Sequence, residues 1–346
     1  MGTLHIFNPE HDIALAANLA NFTAPRAGRQ LRYDLGFLPA LWAEPDDYVL
    51  VDDVERAAYS FRKVKNLCRD GLCEPRWTDC RQLHECNIVR IDPWGWDVAL
   101  VHQLRHWGIA EHLLPDADYV EMVRRLSHRR TAMDLLARLQ GDGRIGEAAE
   151  CHTMDEVNTC LQRWNSIVLK APWSSSGRGV RFVSELSDST AKWVAGVMGS
   201  QGSVMAEPRY EKVCDMGMEF EASGEGHVSY CGLSLFDTSK GAYTGNILGK
   251  ESDKIKFISR YIPECLLERI KEDICRSIDV ENYVGPLGVD MMVVTRGNDY
   301  LIHPCVEVNL RRTMGHVALS LAAKTNGECS AMHILYDGKN YQFNIL

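Results

Sequence analysis

Three residues near the end of the sequence have the side-chain types of a magnesium site. Asp290 lies in the apolar run "PLGVDMMVV", and Glu307 and Asn309 lie two residues apart in "YLIHPCVEVN". Residues two apart in a strand share one face, and the turn "TRGND" makes the two runs neighbouring strands. Two carboxylates and an amide oxygen are hard ligands of the kind that Mg²⁺ prefers. The pattern therefore predicts a metal site on this strand pair.

Arg311 continues the pattern two residues beyond Asn309. Its guanidinium is expected to share a face with Glu307 and Asn309, where it is placed to hold a phosphoryl group or a carboxylate. Acids near a turn are often only a solvated sheet face. Here "LIHPCVEVNL" is otherwise apolar on both sides, as in a buried strand, where polar side chains without partners are costly. The functional interpretation is therefore favoured.

A second candidate site lies about 120 residues upstream, in "VLKAPWSSSGRGVRF" from Val168 to Phe182. Lys170 ends a β-rich run and is followed by a loop of small residues. A polar hairpin turn is one interpretation of such a loop. The other is a phosphate clamp, in which Lys170 supplies charge and backbone N–H groups wrap an anion. The loop residues would be Ser174, Ser175, Ser176, Gly177, Arg178 and Gly179.

The order of these motifs resembles the ATP-grasp superfamily of ligases. That family has a lysine on a strand before a small-residue loop, an adenine-binding hinge after the next strand, and an acid followed by an E-x-N-x-R strand. This sequence has "VLKAPWSSSGRGV", then "VMAEPRYE", then "GVD" and "CVEVNLR". The match at Glu307, Asn309 and Arg311 is the most specific part. The resemblance covers residues 125 to 320.

The resemblance implies a role for each matching position. Lys170 would contact the α- and β-phosphates, and the loop Ser174 to Gly179 would close over the triphosphate. Asp290, Glu307 and Asn309 would hold Mg²⁺. A second phosphate-binding cation, usually a lysine, is replaced in "SHRRTAM" by Arg129 or Arg130, and Arg130 is the residue assigned. The nucleoside contacts are Glu207, Pro208 and Arg209 at the adenine and Glu211, or less favoured Asp215, at the ribose.

The implied activity is ATP- and Mg²⁺-dependent ligation of a carboxylate to an amine, or less often a thiol, through an acylphosphate. Lys170 and Arg311 would neutralise charge on the transferring phosphoryl group. Two alternatives remain open, namely an ATP-binding regulator without turnover and a small-molecule kinase on the same fold. The sequence has no G-x-x-x-x-G-K-[ST], no kinase H-R-D or D-F-G, and no G-x-G-x-x-G after its first strand.

The predicted fold combines α/β and α+β elements. "TLHIFNP" and "DYVLVDD" are strands separated by helical segments, which predicts a parallel βαβ unit. From about residue 213 to 249, short β runs alternate with Gly-containing turns, which predicts an antiparallel sheet. We predict an N-terminal α/β domain over 1–124, an ATP-grasp small lobe over 125–205 and a large lobe over 206–346.

The N-terminal domain is predicted to form part of the acceptor-substrate site. Its first strand ends in "NPEHD", which places polar side chains where α/β sheets bind ligands. "FTAPRAGRQ" adds two candidate carboxylate-binding arginines. Ordinary loop chemistry is the competing interpretation for these residues, which are Asn8, Glu10, His11, Asp12, Arg26 and Arg29. His316, just after the E-x-N-x-R motif, is interpreted as a structural histidine.

Composition and net charge limit the classes of molecule that the protein is expected to bind. The chain has 346 residues, 45% of them hydrophobic and 25% charged, with a net charge of −9. This charge argues against broad binding to nucleic acid or anionic membranes. No run approaches the length of a membrane span, and "MGTLHIFNPEHD" lacks the features of a signal peptide. We expect a cytoplasmic protein that acts on small-molecule or peptide carboxylates and amines.

The 12 cysteines are scattered through the sequence. The tightest group lies between residues 68 and 86, but its spacings are wider and less regular than those of paired zinc knuckles. We therefore expect free, buried thiols rather than a zinc site. The group comprises Cys68, Cys73, Cys80 and Cys86, with His84 nearby.

Overall fold

The structure is a computed structural model that describes residues 1–68, 72–174, 179–239, 242–325 and 330–346. The chain forms two compact units. Unit 1 comprises Met1–Arg124, Thr244–Lys250 and Arg311–Leu346, and unit 2 comprises Arg125–Tyr243 and Glu251–Leu310. The first boundary falls after residue 124, where the sequence changes in texture. The segment from Arg311 onward belongs to unit 1, whereas the sequence assigned it to the large lobe.

The described strands, in chain order, are β1 (Gly2–Ile6), β2 (Tyr48–Leu50), β3 (Arg76–Thr78), β4 (Ile88–Pro93), β5 (Ala149–Cys151), β6 (Ile167–Lys170), β7 (Val180–Val183), β8 (Val204–Pro208), β9 (Glu211–Gly224), β10 (His227–Ser239), β11 (Ala242–Ile247), β12 (Val284–Arg296), β13 (Asp299–Asn309), β14 (Ala331–Tyr336) and β15 (Tyr341–Ile345).

The described α-helices are α1 (His11–Ala17), α2 (Arg26–Leu35), α3 (Val54–Lys65), α4 (Val98–His106), α5 (Ala117–Leu126), α6 (Arg130–Arg138), α7 (Met154–Trp164), α8 (Asp188–Gln201), α9 (Glu251–Ile258), α10 (Glu264–Ser277) and α11 (Met314–Thr325). None of these helices combines the length and apolarity needed to cross a bilayer.

Unit 1 contains the predicted parallel sheet. Its strand order is β3-β2-β1-β4, and every neighbouring pair is parallel. The chain leaves β1 to one side for β2 and β3 and later to the other side for β4. This reversal opens a crevice beyond the carboxyl ends of β1 and β4, which is where such sheets bind ligands.

Later segments of the chain complete the core of unit 1. The strands β11, β14 and β15 form consecutive antiparallel pairs. Val317 and Leu321 of α11 and Met332 of β14 belong to the same buried cluster as Phe37 and Val49 of the N-terminal segment. Burial of these apolar side chains is what holds the three stretches together.

Unit 2 begins with a small antiparallel sheet of order β5-β8-β6-β7. Helix α7 starts with a capping box, in which Thr153 and Glu156 satisfy each other's backbone N–H groups. The buried residues of α7 and α8 pack with those of β6 and β8 in one apolar cluster that includes Val157, Val194 and Leu169. The two helices therefore support the strand that ends in Lys170, the candidate phosphate-binding residue.

The larger sheet of unit 2 contains β13-β12-β9-β10, and these neighbours are antiparallel. The predicted hairpin between β12 and β13 is present, and Gly297 in its turn has φ 65°. That left-handed conformation suits a glycine, which has no Cβ to clash with the backbone. The hairpin sets Asp290 directly opposite Glu307.

Candidate active site

Lys170 ends β6, as the sequence predicted, and its side chain is buried against β8. Its Nζ lies 2.6 Å from Oε2 of Glu207, and 8% and 11% of the two side chains are exposed. A lysine ammonium has three donors, so one carboxylate partner leaves donors available for an anion. The pair therefore holds a buried cation at the end of a strand.

His303 on β13 is a buried imidazole close to this pair. Burial, and after it the charge of Lys170, lower the pKa of His303 to about 3. Within the described residues, neither ring nitrogen has a hydrogen-bond partner. His303 is therefore neutral at physiological pH, and Lys170 has no second cation competing with it from this side chain.

The loop after Lys170 is described only at its ends. Ala171 N donates to Gly179 O at 2.8 Å, which closes the base of the loop. A Cβ on Gly179 would lie 2.3 Å from the Cβ of Ser174, so only glycine fits at that position. The predicted loop residues Ser175, Ser176, Gly177 and Arg178 lie outside the described residues.

Arg129 connects the start of this loop to the candidate metal site. Its Nη1 lies 2.9 Å from Oε2 of Glu307, while its Nε donates to Ala171 O at 3.0 Å. Its Nη2 donates to Ser174 Oγ at 3.3 Å. The residue is 8% exposed. A buried guanidinium with these partners is placed where a triphosphate would need positive charge.

Arg130 has a different environment, although the sequence assigned it the phosphate-binding role. Its guanidinium pairs with Glu150, with 2.6 Å from Nη2 to Oε1, and half of the side chain is exposed. Consecutive helical residues point about 100° apart, which is why only one of two adjacent arginines can face the loop. The structure brings Arg129, and not Arg130, to the other candidate residues.

The predicted metal ligands lie together on β12 and β13. Asp290 is opposite Glu307, and Asn309 Nδ2 donates to Asp290 Oδ2 at 3.2 Å. In the described part of the chain no three His, Cys, Asp or Glu side chains converge on one point. Two carboxylates and an amide oxygen nevertheless match Mg²⁺ in kind, because Mg²⁺ keeps waters and substrate phosphates in its shell.

A buried polar group that the motifs did not reveal lies beside this set. Ser234 Oγ donates to Oε1 of Glu219 at 2.8 Å, and both residues are almost fully buried. A Cβ on Gly217 would lie 3.2 Å from Glu219 Oε1 and 3.4 Å from Asp290 Oδ1, so β9 passes close to the metal candidates. β9 also carries Glu211, Asp215 and Glu221, and no spacing rule singles out Glu219 among these acids.

Lys254 of α9 is a further buried cation in unit 2. Its Nζ donates to Leu233 O at 2.8 Å, and the residue is 2% exposed. Burial lowers the pKa of Lys254, while the charges of Glu251 and Glu219 raise it. Its sequence signal is a lysine on the buried face of a helix, which it shares with Ile258.

The predicted adenine hinge lies at the end of β8, the strand that pairs with the strand of Lys170. β8 ends at Pro208, and Arg209 N donates to Ser166 O at 2.9 Å. The Arg209 guanidinium lies over the ring of Phe182, 5.4 Å from its centroid. Glu207 uses its carboxylate on Lys170, so its backbone rather than its side chain is the part left for a base.

The two candidate ribose acids differ in their surroundings. Glu211 opens β9 and is exposed. Asp215 accepts from Thr238 Oγ1 at 2.9 Å and is paired with Lys212. The acid favoured by the sequence, Glu211, is therefore the more accessible of the two.

Arg311 does not lie on the strand that carries Glu307. β13 ends at Asn309, and Arg311 belongs to unit 1. Its guanidinium binds Asp12, with 3.0 Å from Nε to Oδ1 and 2.9 Å from Nη2 to Oδ2. The expectation that Arg311 shares a strand face with Glu307 is wrong, because the extended conformation ends before it. His316 is hydrogen-bonded to Thr313, with 3.0 Å from Nδ1 to Oγ1.

A buried polar network occupies the crevice of the parallel sheet in unit 1. Asn8 Nδ2 donates to Gly95 O at 2.8 Å, and His11 Nδ1 lies 3.2 Å from Asp97 Oδ2. Asp97 also accepts from Leu100 N at 2.9 Å and so caps α4. A Cβ on Gly95 would lie 2.6 Å from the His11 ring. The network fixes the ends of β1 and β4 against each other.

The remaining predicted substrate residues fall into two groups. Glu10 accepts from Arg32 Nη1 at 2.6 Å and lines a cavity of about 340 Å³, which Asn8 and Arg29 also line. Arg26 starts α2 and is exposed, and it is not among the cavity residues. Arg32 is a cavity residue that the sequence analysis did not single out.

The cysteines with described surroundings are free thiols. Cys68 is buried, but Cys73 and Cys80 are exposed and Cys86 is partly exposed. The expectation of buried thiols is therefore wrong for most of this group. In the described ranges, which include His84, none of these residues takes part in a group that could hold a metal.

Comparison with known proteins gives a structural match only. No protein-family model matches the sequence. No curated protein matches it either. The structure is similar to biotin carboxylase from Campylobacter jejuni in a β-γ-ATP complex, with a TM-score of 0.53 and 13% identity over 99% of this chain and 74% of that chain.

A second similar structure is N5-carboxyaminoimidazole synthetase from Staphylococcus aureus complexed with ADP. The TM-score is 0.52, and the identity is 10% over 96% of this chain and 82% of that chain. Both proteins belong to the ATP-grasp superfamily. The chain therefore has the ATP-grasp fold, and the fold predicted from the motifs is confirmed.

Proposed function

We propose that the chain is an ATP- and Mg²⁺-dependent ligase that joins a small carboxylate substrate to an amine, or to a thiol, in the cytoplasm. The observation that carries the proposal is the arrangement in unit 2 of the Lys170–Glu207 pair and the Arg129–Glu307 pair. Both pairs are built on the ATP-grasp fold. They supply buried cations next to carboxylates of the kind that hold a metal-bound triphosphate.

The proposed reaction has two steps. A carboxylate oxygen of the first substrate attacks the γ-phosphorus of ATP, forming an acyl C–O–P linkage and breaking the P–O bond to ADP. An amine then attacks the acyl carbon, phosphate leaves with the bridging oxygen, and the amine's proton passes to water. The products are an amide, ADP and phosphate. No covalent enzyme intermediate is needed, so the free cysteines have no role in the proposal.

The candidate nucleotide-binding residues of unit 2, with Arg129 in place of Arg130, have roles in binding or charge neutralisation. Lys170 would contact the α- and β-phosphates with the donors that Glu207 leaves available. Arg129 would exchange Glu307 for the γ-phosphate, since a guanidinium suits either anion. The backbone at Glu207–Arg209 would face the adenine, and Glu211 would face the ribose. The loop from Ser174 to Gly179 would exclude water from the acylphosphate.

The metal ligands in the proposal are Asp290, Glu307 and Asn309. Mg²⁺ bound there would neutralise charge on the phosphates of ATP. Asp290 and Glu307 supply the anionic oxygens, and the Asn309 amide orients Asp290 through its hydrogen bond. With Glu307 as a metal ligand, the Arg129 guanidinium would be available to the substrate.

Calorimetric titration of Mg²⁺-ATP into the full chain tests the nucleotide site. The proposal expects saturable binding by the wild type, and its loss in a Lys170→Ala/Asp290→Asn double variant. Lys192→Met is a matched control, because Lys192 is an exposed lysine on α8. Absence of heat at millimolar ATP, where binding is worth only about −4 kcal/mol, would rule out the site.

An ADP-release screen over carboxylic acids and amines then distinguishes ligase from kinase. Hydroxylamine traps an acylphosphate as a hydroxamate, whereas a phosphoester formed by a kinase does not react with it. Hydroxamate that depends on the acid, on ATP and on Mg²⁺ is the expected result. A stable phosphoester would instead assign a kinase. ATP binding without ADP release for any pair would assign a non-catalytic ATP-binding protein.

A further inference from the structure

The cavity in unit 1 lies at the carboxyl edge of the parallel sheet. Its volume of about 340 Å³ is near the lower end of the range of about 300–1,000 Å³ for small-molecule sites. Residues at the carboxyl ends of β1, β2 and β3 line it together with one side of α4, as far as the C-cap residue Trp107. Much of the wall is apolar, from Phe7, Phe22, Leu50, Val51, Leu100 and Trp107.

Most charged groups in the cavity wall have partners within unit 1. Asp79 accepts from Arg81, with 3.1 Å from Nε to Oδ2. Arg32 donates from Nη1 to Oε1 of Glu10, and its Nε lies 3.4 Å from Oδ2 of Asp52. Asp97 is used by the network of His11 and α4. These pairs leave little charge for a ligand.

Two groups in the wall are left incompletely paired. Among the described residues, Oε2 of Glu10 has no hydrogen-bond partner, although Glu10 is only 7% exposed. Burial raises the pKa of Glu10, and Arg32 opposes that rise. Arg29 is exposed, and its guanidinium has no partner in the described part of the chain. A carboxylate oxygen is therefore open inside the cavity and a guanidinium is open at its mouth.

The two open groups are close to each other. Arg29 and Arg32 are three residues apart on α2, so they share one face of the helix, one turn apart. Arg32 already touches Glu10. Gly28, the residue before Arg29, also lies close to Glu10, because a Cβ on Gly28 would be 3.5 Å from the Cβ of Glu10. A ligand that bridges Glu10 and Arg29 is therefore short.

We propose that this cavity binds a small α-amino acid with an apolar side chain, its ammonium on Glu10 and its carboxylate on Arg29. The apolar wall would take the side chain. A nucleotide or other polyanion does not suit the cavity, because Glu10, Asp52, Asp79 and Asp97 outnumber its three arginines. The proposal concerns binding and is independent of the presence of ATP.

The identity of this amino acid as a substrate rests on the proposed ligase function. An ammonium held on a buried carboxylate has no free lone pair and is a poor nucleophile. The bound amino acid would therefore supply the carboxylate that is phosphorylated, and a second compound would supply the amine. Arg29 at the mouth would then neutralise the carboxylate before it reacts.

Titration calorimetry on the full chain without nucleotide tests the binding proposal directly. The probes are leucine, its deaminated analogue 4-methylpentanoate and its decarboxylated analogue 3-methylbutylamine. Leucine is expected to bind saturably, and each analogue at least about tenfold more weakly, because each loses one charged contact. Equal binding of leucine and 4-methylpentanoate would overturn the ammonium site, and no binding of leucine, methionine or phenylalanine would overturn the proposal.

Variants of the two open groups give a second test. Glu10→Gln and Arg29→Met are each expected to weaken leucine binding at least about tenfold. Lys63→Met, which removes an exposed cation from α3 in the same unit, should leave it unchanged. Leucine binding by Glu10→Gln at wild-type strength would overturn the assignment. If Glu10→Gln does not fold, the analogue series on the wild type decides.

The binding proposal and the ligase proposal fail in different experiments. Leucine binding without ADP release for any amine partner would support the cavity assignment and count against the ligase. ADP release driven by carboxylic acids other than amino acids, with no leucine binding, would support the ligase and overturn the cavity assignment.

Discussion

Lys170 and Glu207 form a buried ion pair, 2.6 Å from Nζ to Oε2, on neighbouring strands of the small sheet in unit 2. Removal of one member would leave the other as an uncompensated buried charge. We expect Lys170→Met to lower the free energy of unfolding by about 3–5 kcal/mol and to abolish ATP binding.

The double variant Lys170→Met/Glu207→Gln separates stability from function. It removes both charges, so urea unfolding should show it to be more stable than the single variant. Calorimetry should still detect no ATP. Recovery of ATP binding in the double variant would show that Lys170 acts only as a structural partner of Glu207.

Arg129 and Arg130 are adjacent in sequence, but only Arg129 contacts Glu307 and the loop. We expect Arg129→Met to lower ATP turnover about 10–100-fold, because a charge-assisted hydrogen bond contributes about 1.5–3 kcal/mol. Arg130→Met should have a much smaller effect, since Arg130 pairs with Glu150 at a half-exposed site. Steady-state ADP release measures the turnover of both variants. A larger loss in Arg130→Met than in Arg129→Met would support the sequence-based assignment of Arg130.

Glu307 is expected to hold Mg²⁺ together with Asp290. Glu307→Gln keeps the size of the side chain but removes its charge, so the Mg²⁺ concentration for half-maximal ADP release should rise at least about tenfold. Glu185→Gln, at an exposed position in the same unit, is the control. An unchanged Mg²⁺ requirement in Glu307→Gln would mean that the metal is held elsewhere.

These residues also show how far the sequence could be read. Strand alternation and a hairpin were enough to bring Asp290 opposite Glu307, because both are local properties of the chain. Choosing Arg129 over Arg130 depended on the helix's rotation against the loop, which sequence spacing does not specify. Arg311 was misplaced because nothing in "VNLRRTMGH" marks where the strand ends.

The hydrogen-bond network around Asp97 could not be predicted from the sequence for another reason. Its members follow β1 and β4, which are about 80 residues apart and meet only through parallel pairing. The loop after β1 was singled out, but its partner Gly95 had no chemical signature. Glu219 was missed because β9 carries four acids, and nothing in their spacing marks Glu219 as the buried one.

Asp92 predicts an acid-dependent loss of stability in unit 1. Burial alone would raise its pKa, but the hydrogen bond from His5 and the charge of Arg312 lower the pKa of Asp92 to about 2. The folded state therefore favours the ionised form more than the unfolded state does. This stabilisation is present above the unfolded pKa of about 3.8 and is lost as the pH falls towards 2.

The test is Asp92→Asn, compared with the wild type by urea unfolding at pH 7 and pH 3. We expect the variant to be less stable by about 2 kcal/mol at pH 7 and by clearly less at pH 3. A difference of the same size at both pH values would show that the charge of Asp92 does not contribute, and that only packing is lost.

Gly95 is required by the packing of His11 rather than by its backbone. Gly95→Ala would place a methyl group 2.6 Å from the His11 ring, and we expect it to lower stability by about 1–3 kcal/mol. Gly196→Ala in α8 is the matched control. It has open space around it and should stabilise by up to about 1 kcal/mol. Thermal unfolding compares them, and equal shifts would contradict the close contact.

Unit 1 is assembled from three separated stretches of the chain, and this affects the order in which the two units can fold during synthesis. Domains generally fold as units while they leave the ribosome, the N-terminal one first. Here the residues of unit 2 are complete once Leu310 has emerged, whereas unit 1 waits for α11, β14 and β15. The parallel sheet of unit 1 would thus close its core after unit 2 is complete, and its apolar side chains would stay exposed to chaperones while unit 2 is being synthesised.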